Sequence, residues 1–268
     1  MDAHHDVTLP DGHRAIFLPE TPSTNAHAMR LATQGAQPPL WVWGGRQTKG
    51  RGRLGRGWDS PAGNLYASVL LRPDCAAEAI GGLPLLAGLA ARDAIAAVAS
   101  DGPVVAGLRL KWPNDIMLDG AKLGGVLIES AVMDDGARAV VIGTGLNLAA
   151  APSGLDREVA CLRDHGCSAA PRDALAALAD ATARWLLVWA AGAGFAHIRS
   201  AWLRHAAPLG TPISVRLGGE RIEGRFAGLD ETGALRLRRD NGERLITAGD
   251  VAIGWQGPGS NTATAHHE

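Results

Sequence analysis

The hydrophobic period of this chain changes at Pro208-Leu209-Gly210, and that change limits the folds open to it. Upstream, strand-like segments alternate with apolar stretches at helical spacing; downstream, only short alternating segments remain. Segments 14–18, 40–44, 65–71, 108–112, 116–118, 123–131 and 137–142 predict strands. Segments 26–34, 83–98, 174–189 and 195–205 predict helices, the first capped by Ser23-Thr24-Asn25 and stopped by Gly35. Downstream, 213–216, 221–229, 234–238 and 244–247 read as strands divided by Gly218-Gly219, Asp230 to Gly233 and Asp240-Asn241-Gly242, the pattern of a small barrel. The expectation is an α+β chain with four parts: a polar tail (1–12), a large catalytic part (13–207), a small C-terminal β-barrel (208–256) and a second tail (257–268).

Composition excludes several classes. A formal net charge of -1 gives no global field toward nucleic acid or an anionic membrane. The cysteines, Cys75, Cys161 and Cys167, are odd in number and irregular in spacing, which argues against a disulfide framework and suits a reducing compartment. The first ten residues lack the basic-then-apolar pattern of a signal peptide, and no unbroken apolar run reaches the roughly 18 residues of a spanning helix. A cytoplasmic protein with no membrane contact is expected. His266 and His267 read as part of the C-terminal tail rather than as metal ligands.

Arg46 to Arg56 carries five basic residues and no acid, and its core reads Gly50-Arg51-Gly52-Arg53-Leu54-Gly55-Arg56-Gly57-Trp58. Glycines let backbone amides approach an anion, and arginine forks grip phosphate oxygens in pairs, so the loop suits a phosphate-bearing ligand. Three other readings stay open. Gly50, Gly52 and Gly55 satisfy a dinucleotide fingerprint, but the segment leads through Pro61 and Gly63 into a strand, not into the helix that fingerprint needs. The loop also suits a nucleic-acid contact or a solvated charged turn.

Lys111-Trp112-Pro113-Asn114-Asp115 precedes an Asp119-Gly120 hairpin turn, and Lys122-Leu123-Gly124-Gly125 follows it. With a two-residue turn, Leu118 pairs with Ala121, Met117 with Lys122 and Asp115 with Gly124. Asp115, Met117, Lys122 and Gly124 then share one face, which sets a carboxylate beside an ammonium with room for a ligand. A one-residue slip would undo this, and a structural salt bridge is the competing explanation.

Five segments in order resemble the biotin protein ligase family. They are Ser23-Thr24-Asn25, Gly50 to Trp58, Lys111 to Asp115, the run Lys122 to Glu129, and Gly143-Thr144-Gly145-Leu146-Asn147. The resemblance implies a mixed sheet with helices packed on one side and an SH3-like C-terminal barrel. It implies that Ser23, Thr24, Asn25 and Gln47 bind biotin, with Gly50 and Gly125 lining its pocket. Arg51 and Arg53 would close over biotin and adenylate, with Trp58 walling the site. Lys111, Asn114 and Asn147 would face the nucleotide. Lys122 would meet the reacting carboxylate and α-phosphate, and Asp115 would orient or deprotonate the incoming lysine.

The implied reaction uses ATP, with Mg²⁺ entering on the nucleotide rather than on a protein metal site. It makes biotinyl-5′-AMP and passes biotin to a lysine of a biotin carboxyl carrier domain. Ser23 lies too near the start for the helix-turn-helix that some members carry, so the ligase-only form, without DNA binding, is expected. A lipoate or octanoyl ligase, a nucleic-acid-binding module and an inactive scaffold are the rival readings.

Overall fold

The computed structural model describes residues 7–100, 102–154 and 158–253. The first part of the chain folds around a seven-stranded sheet in the order β1-β2-β3-β7-β6-β5-β4. Its strands are β1 (Arg14–Leu18), β2 (Leu40–Gly44), β3 (Leu65–Leu71), β4 (Leu108–Lys111), β5 (Asp115–Leu118), β6 (Ala121–Val132) and β7 (Arg138–Leu146). Only β1 and β2 run parallel, joined by a crossover through α1 (Thr24–Thr33). The remaining neighbours are antiparallel.

Residues alternate across the sheet, as the strand period requires. Trp41, Trp43, Leu65, Ala67, Val69, Val140 and Ile142 face one core with α2 (Leu83–Ala99), α4 (Pro171–Trp189) and α5 (Phe195–His205). Leu40, Val42, Leu70, Ala139 and Val141 face a smaller core against Ala28 and Ala32 of α1. So the large helices share one side as expected, while α1 covers part of the other and leaves the strand ends beyond its N-terminus open. A short helix, α3 (Pro103–Gly107), leads into β4 and was not legible in the sequence.

Two stretches, 77–99 and 171–192, are apolar enough by mean hydropathy (1.5 and 1.3) to span a bilayer, contrary to the expectation above. Helix α2 is instead a core helix: Leu83, Leu86, Leu89, Ala90 and Ala91 are fully covered between the sheet, α4 and α5. The tail expected over 1–12 also needs correction. Val7 and Leu9 pack on the main core, because two apolar side chains so near β1 have a surface to cover. His266, His267 and the tail from 257 lie outside the described residues.

The C-terminal strands are β8 (Pro212–Leu217), β9 (Glu220–Leu229), β10 (Leu235–Arg239), β11 (Gly242–Ile246) and β12 (Asp250–Ile253). They form a five-stranded antiparallel sheet ordered β11-β10-β9-β8-β12. This is the small β unit expected after 208; among the described residues its edge strands β11 and β12 are not paired with each other. The last strand, β12, has only four residues, too short a run for its alternation to stand out in the sequence.

Candidate active site

The site forms on the α1 side of the main sheet, where glycines strip the strands bare. Gly125 pairs with Gly145, and Leu127 with Gly143. A side chain at Gly145 would lie 2.7 Å from the Trp58 ring, and one at Gly143 would lie 2.0 Å from Asn25 Oδ1. The bare strip therefore lets Trp58 lie flat against the sheet and lets the start of α1 close on it. About 550 Å³ of cavity opens above, lined by residues of α1, β5, β6, β7, the basic loop and the C-terminal sheet.

At one end, Ser23 caps α1, its hydroxyl accepting from Ala26 N at 3.4 Å. Gln47 Oε1 accepts from Thr24 N at 2.9 Å and from Thr24 Oγ1 at 3.1 Å. Asn25 donates to Glu129 Oε2 at 2.8 Å. Ser23, Thr24 and Asn25 are all nearly buried yet line the cavity, so the start of α1 forms one polar wall of it.

In the middle sits a buried charge cluster. Asp115 takes Lys111 Nζ on one oxygen at 2.9 Å and Lys122 Nζ on the other. Burial drives the Asp115 carboxyl up, but the charges and hydrogen bonds of Lys122 and Lys111 outweigh it and hold the carboxyl below its ordinary value. Lys122 Nζ also lies 5.5 Å from the centre of the Trp58 ring, within reach of its π-face. The hairpin register differs from the sequence expectation in one respect. Leu118–Ala121 and Met117–Lys122 pair as read, around an Asp119-Gly120 turn with both φ positive. A bulge then intervenes, so Asp115 lies opposite Gly125 and not Gly124. The extra residue turns Gly124 toward Leu146 and puts Gly125 on the site face, its absent side chain 3.2 Å from Lys122 Nζ.

At the other end, the basic loop folds back on itself through Trp58 N to Gly50 O (2.9 Å) and Gly52 N to Arg56 O (2.7 Å). Its tip reaches the C-terminal sheet. Arg53 donates to Asn114 Oδ1 at 3.3 Å and to Gly249 O at 3.2 Å, and Arg56 pairs with Asp250 at 2.8 Å. Burial lowers the Arg53 guanidinium, opposed by Asp250 and Asp115; a guanidinium stays charged regardless. Arg216 and Arg221 add further cations to this end. Anions presented here meet five cationic side chains with Lys111 and Arg56 included.

Of the residues singled out in the sequence, Ser23, Thr24, Asn25, Gln47, Arg51, Arg53, Trp58, Lys111, Asn114, Asp115, Lys122 and Gly125 all line this one cavity. Two do not. Gly50 sits behind the wall, where a side chain would strike Trp58 O at 2.4 Å; it is a spacer for the loop's close approach. Asn147 turns away as the chain leaves β7. Its N–H bonds Leu123 O and its amide donates to Ala160 O at 3.1 Å, so it braces the segment at 158–160. That segment runs beside Lys122, whose backbone pairs with Glu158 and Ala160. Sequence reasoning gave no role to this segment, to Glu129 or Ser68, or to the C-terminal arginines. Of these only Glu129 stood inside a motif.

Comparison with known proteins agrees with this geometry. The model of the Biotin/lipoate A/B protein ligase family matches residues 17–147, and that of the Biotin protein ligase C terminal domain matches 209–254. A Biotin--[acetyl-CoA-carboxylase] ligase of Paracoccus denitrificans is 42% identical over 89% of this chain and 100% of its own length. The biotin protein ligase of Aquifex aeolicus, solved with biotin and ATP, superposes with a TM-score of 0.73 at 27% identity, covering 90% of this chain and 98% of that one. The Leishmania major ligase with biotinyl-5-AMP gives 0.59 at 32% identity, covering 89% and 100%.

Proposed function

The chain belongs to the biotin/lipoate A/B protein ligase family, and from that premise we propose how its cavity performs the two steps of a biotin protein ligase. The enzyme activates biotin with ATP to biotinyl-5′-AMP and transfers biotin to a lysine. In the first step a biotin carboxylate oxygen bonds the α-phosphorus, and the bond to the bridging oxygen breaks as pyrophosphate leaves. Two anions must meet, so fixed cations at the α-phosphate are the main requirement. Lys122 and Lys111 supply them from buried positions, with Arg51 and Arg53 closing from the loop. In the second step the acceptor amine attacks the carbonyl carbon, AMP departs, and the amine sheds a proton. Asp115 is the carboxylate placed to guide that amine.

The observation that carries this assignment is the convergence of Lys111 and Lys122 on Asp115 beside the glycine strip. Biotin would lie between α1 and Trp58, held at its ring by Ser23, Thr24, Asn25 and Gln47 and passing Gly125. Its carboxylate would then point at the lysines and its adenylate toward Asn114 and the C-terminal sheet. The division into a catalytic part, 13–207, and a completing part, 208–256, follows from that placement. Mg²⁺ would enter on the phosphates of ATP, which need a cation as their charge is redistributed. The acceptor would be a biotin carboxyl carrier domain of an acetyl-CoA carboxylase, in the cytoplasm, where the three free thiols remain reduced.

Incubation with biotin, MgATP and such a carrier domain, read by mass, tests the proposal. One biotin added to one carrier lysine is expected. Transfer of lipoate in preference to biotin, or ATP–pyrophosphate exchange that ignores biotin, would overturn it.

A further inference from the structure

A line of polar contacts runs from the base of the basic loop, under the biotin end of the cavity, and back to the loop. Gln47 holds Thr24; Ser68 Oγ lies 2.8 Å from Thr24 Oγ1 and 2.6 Å from Asn25 Oδ1; Asn25 Nδ2 donates to Glu129 at 2.8 Å. Glu129 in turn pairs with Arg51 at 3.1 Å. Ser68, Thr24 and Asn25 are buried to 5% exposure or less. The last link reaches solvent, with the Glu129 and Arg51 side chains 31% and 46% exposed. Glu129 stands on the site face of β6, two residues beyond Leu127 and four beyond Gly125.

We propose that Glu129 is a positioning residue of the ligase reaction, which holds Arg51 over the cavity and ties the loop to the buried polar line at its biotin end. The proposal rests on the reading in which Thr24, Asn25 and Gln47 meet biotin and Arg51 closes over the adenylate. As a stabilising contact an exposed ion pair of this kind is worth little. Its value lies in direction. The Ser68 hydroxyl fixes the Asn25 amide with its oxygen toward β3, so its NH₂ faces Glu129. That donor orients one carboxylate edge, and the carboxylate then orients a guanidinium that would otherwise sample many rotamers. Among the described residues Glu129 is the one acid in ion-pair contact with Arg51. A shift of Asn25 on biotin binding therefore reaches Arg51 through a single side chain.

The test is Glu129→Gln in the full chain, which keeps the acceptor for Asn25 and removes the charge that holds Arg51. The thermal midpoint should match wild type. Preformed biotinyl-5′-AMP should dissociate about 10-fold faster, the scale of losing one charge-assisted hydrogen bond. In an Arg51→Met background the same substitution should add nothing, because Glu129 acts through Arg51. Glu129→Asp should restore part of the retention. Wild-type adenylate lifetime in Glu129→Gln, or an equal further loss in the Arg51→Met background, would overturn the proposal. If Arg51→Met alone holds adenylate as wild type does, the proposal and the reading of Arg51 beneath it both fall.

Discussion

Replacing Asp115 by Asn tests the central cluster most directly. The carboxylate is the shared counter-ion of two ammonium groups, with Lys111 Nζ at 2.9 Å, and the three side chains are 17%, 13% and 11% exposed from Lys111 through Asp115 to Lys122. Removing one partner of a buried pair costs about 3–5 kcal/mol, chiefly because the remaining charge is left unpaired. Asn keeps the shape and some hydrogen bonding, so the lower end, about 3 kcal/mol, is expected. At about 2–4 °C per kcal/mol for a chain of this class, the midpoint should fall by roughly 6–12 °C. The sign with pH follows from the depressed Asp115 carboxyl. Its contribution is fully present above the unfolded value of about 3.9 and is lost as pH falls through the folded value, so the gap between variant and wild type should be full at pH 7 and close in acid. ATP should stabilise the variant more than wild type, because its phosphates replace the missing anion. Calorimetry from pH 7 down to pH 3, with and without nucleotide, reads all three. A variant as stable as wild type at pH 7, or a gap that does not narrow in acid, would refute the account of Asp115 as the counter-ion of both lysines. Kinetically, transfer from preformed adenylate should drop by about 10²-fold or more if Asp115 guides the amine.

Lys122→Ala should lower biotin-dependent pyrophosphate exchange by about 10²-fold or more with the fold intact by circular dichroism; exchange at the wild-type rate would remove Lys122 from the first step. Arg53→Gly cuts the loop from Asn114 and Gly249, so it should release activated biotin that labels bystander lysines, while biotin affinity changes less. Trypsin should cut the ligand-free chain within 45–57 and spare it with biotin and ATP, because the tip contacts holding the loop are partly exposed and worth at most about 1 kcal/mol each; equal resistance in both states would make the loop a fixed scaffold. Gly145→Ala should cost about 1–3 kcal/mol and weaken biotin binding, since its methyl would lie 2.7 Å from the Trp58 ring; unchanged denaturation and biotin titration would show that Trp58 yields freely.

Local chemistry was legible where it needs no partner at long range. The Asp119-Gly120 turn, the bounds of α5 and the cap at Ser23 follow from residues a few positions apart, and each is found as read. The hairpin register went astray at Leu123-Gly124 because the turn fixes only the first two pairs; the bulge beyond it depends on Gly124 packing against Leu146 of another strand. The surroundings of Asn147 were not legible for a related reason. Its motif position is at the end of β7, but the direction of its side chain is set by a segment some thirteen residues later. The contribution of β12 was illegible altogether, since Asp250 and Gly249 gain meaning only against Arg56 and Arg53, nearly two hundred residues away.

The motifs succeeded as a guide because most of their glycines have a steric task that composition cannot supply otherwise. Gly125, Gly143 and Gly145 stand on one face of two adjacent strands, and a methyl at any of them would meet Lys122, Asn25 or Trp58 within about the distance of a bond-forming clash or a tight contact. The polar residues that line the cavity are thus placed by what the strands lack. Helix α1 can press its first turn, with Ser23, Thr24 and Asn25, onto β7 only because Gly143 gives way, and Trp58 can close the floor only because Gly145 does. The same bare strip is what brings the loop, the hairpin lysines and the start of α1 within reach of one small ligand. A functional site read from a glycine-rich strand pair is therefore a statement about packing first. The chemistry follows from which side chains the vacant face admits.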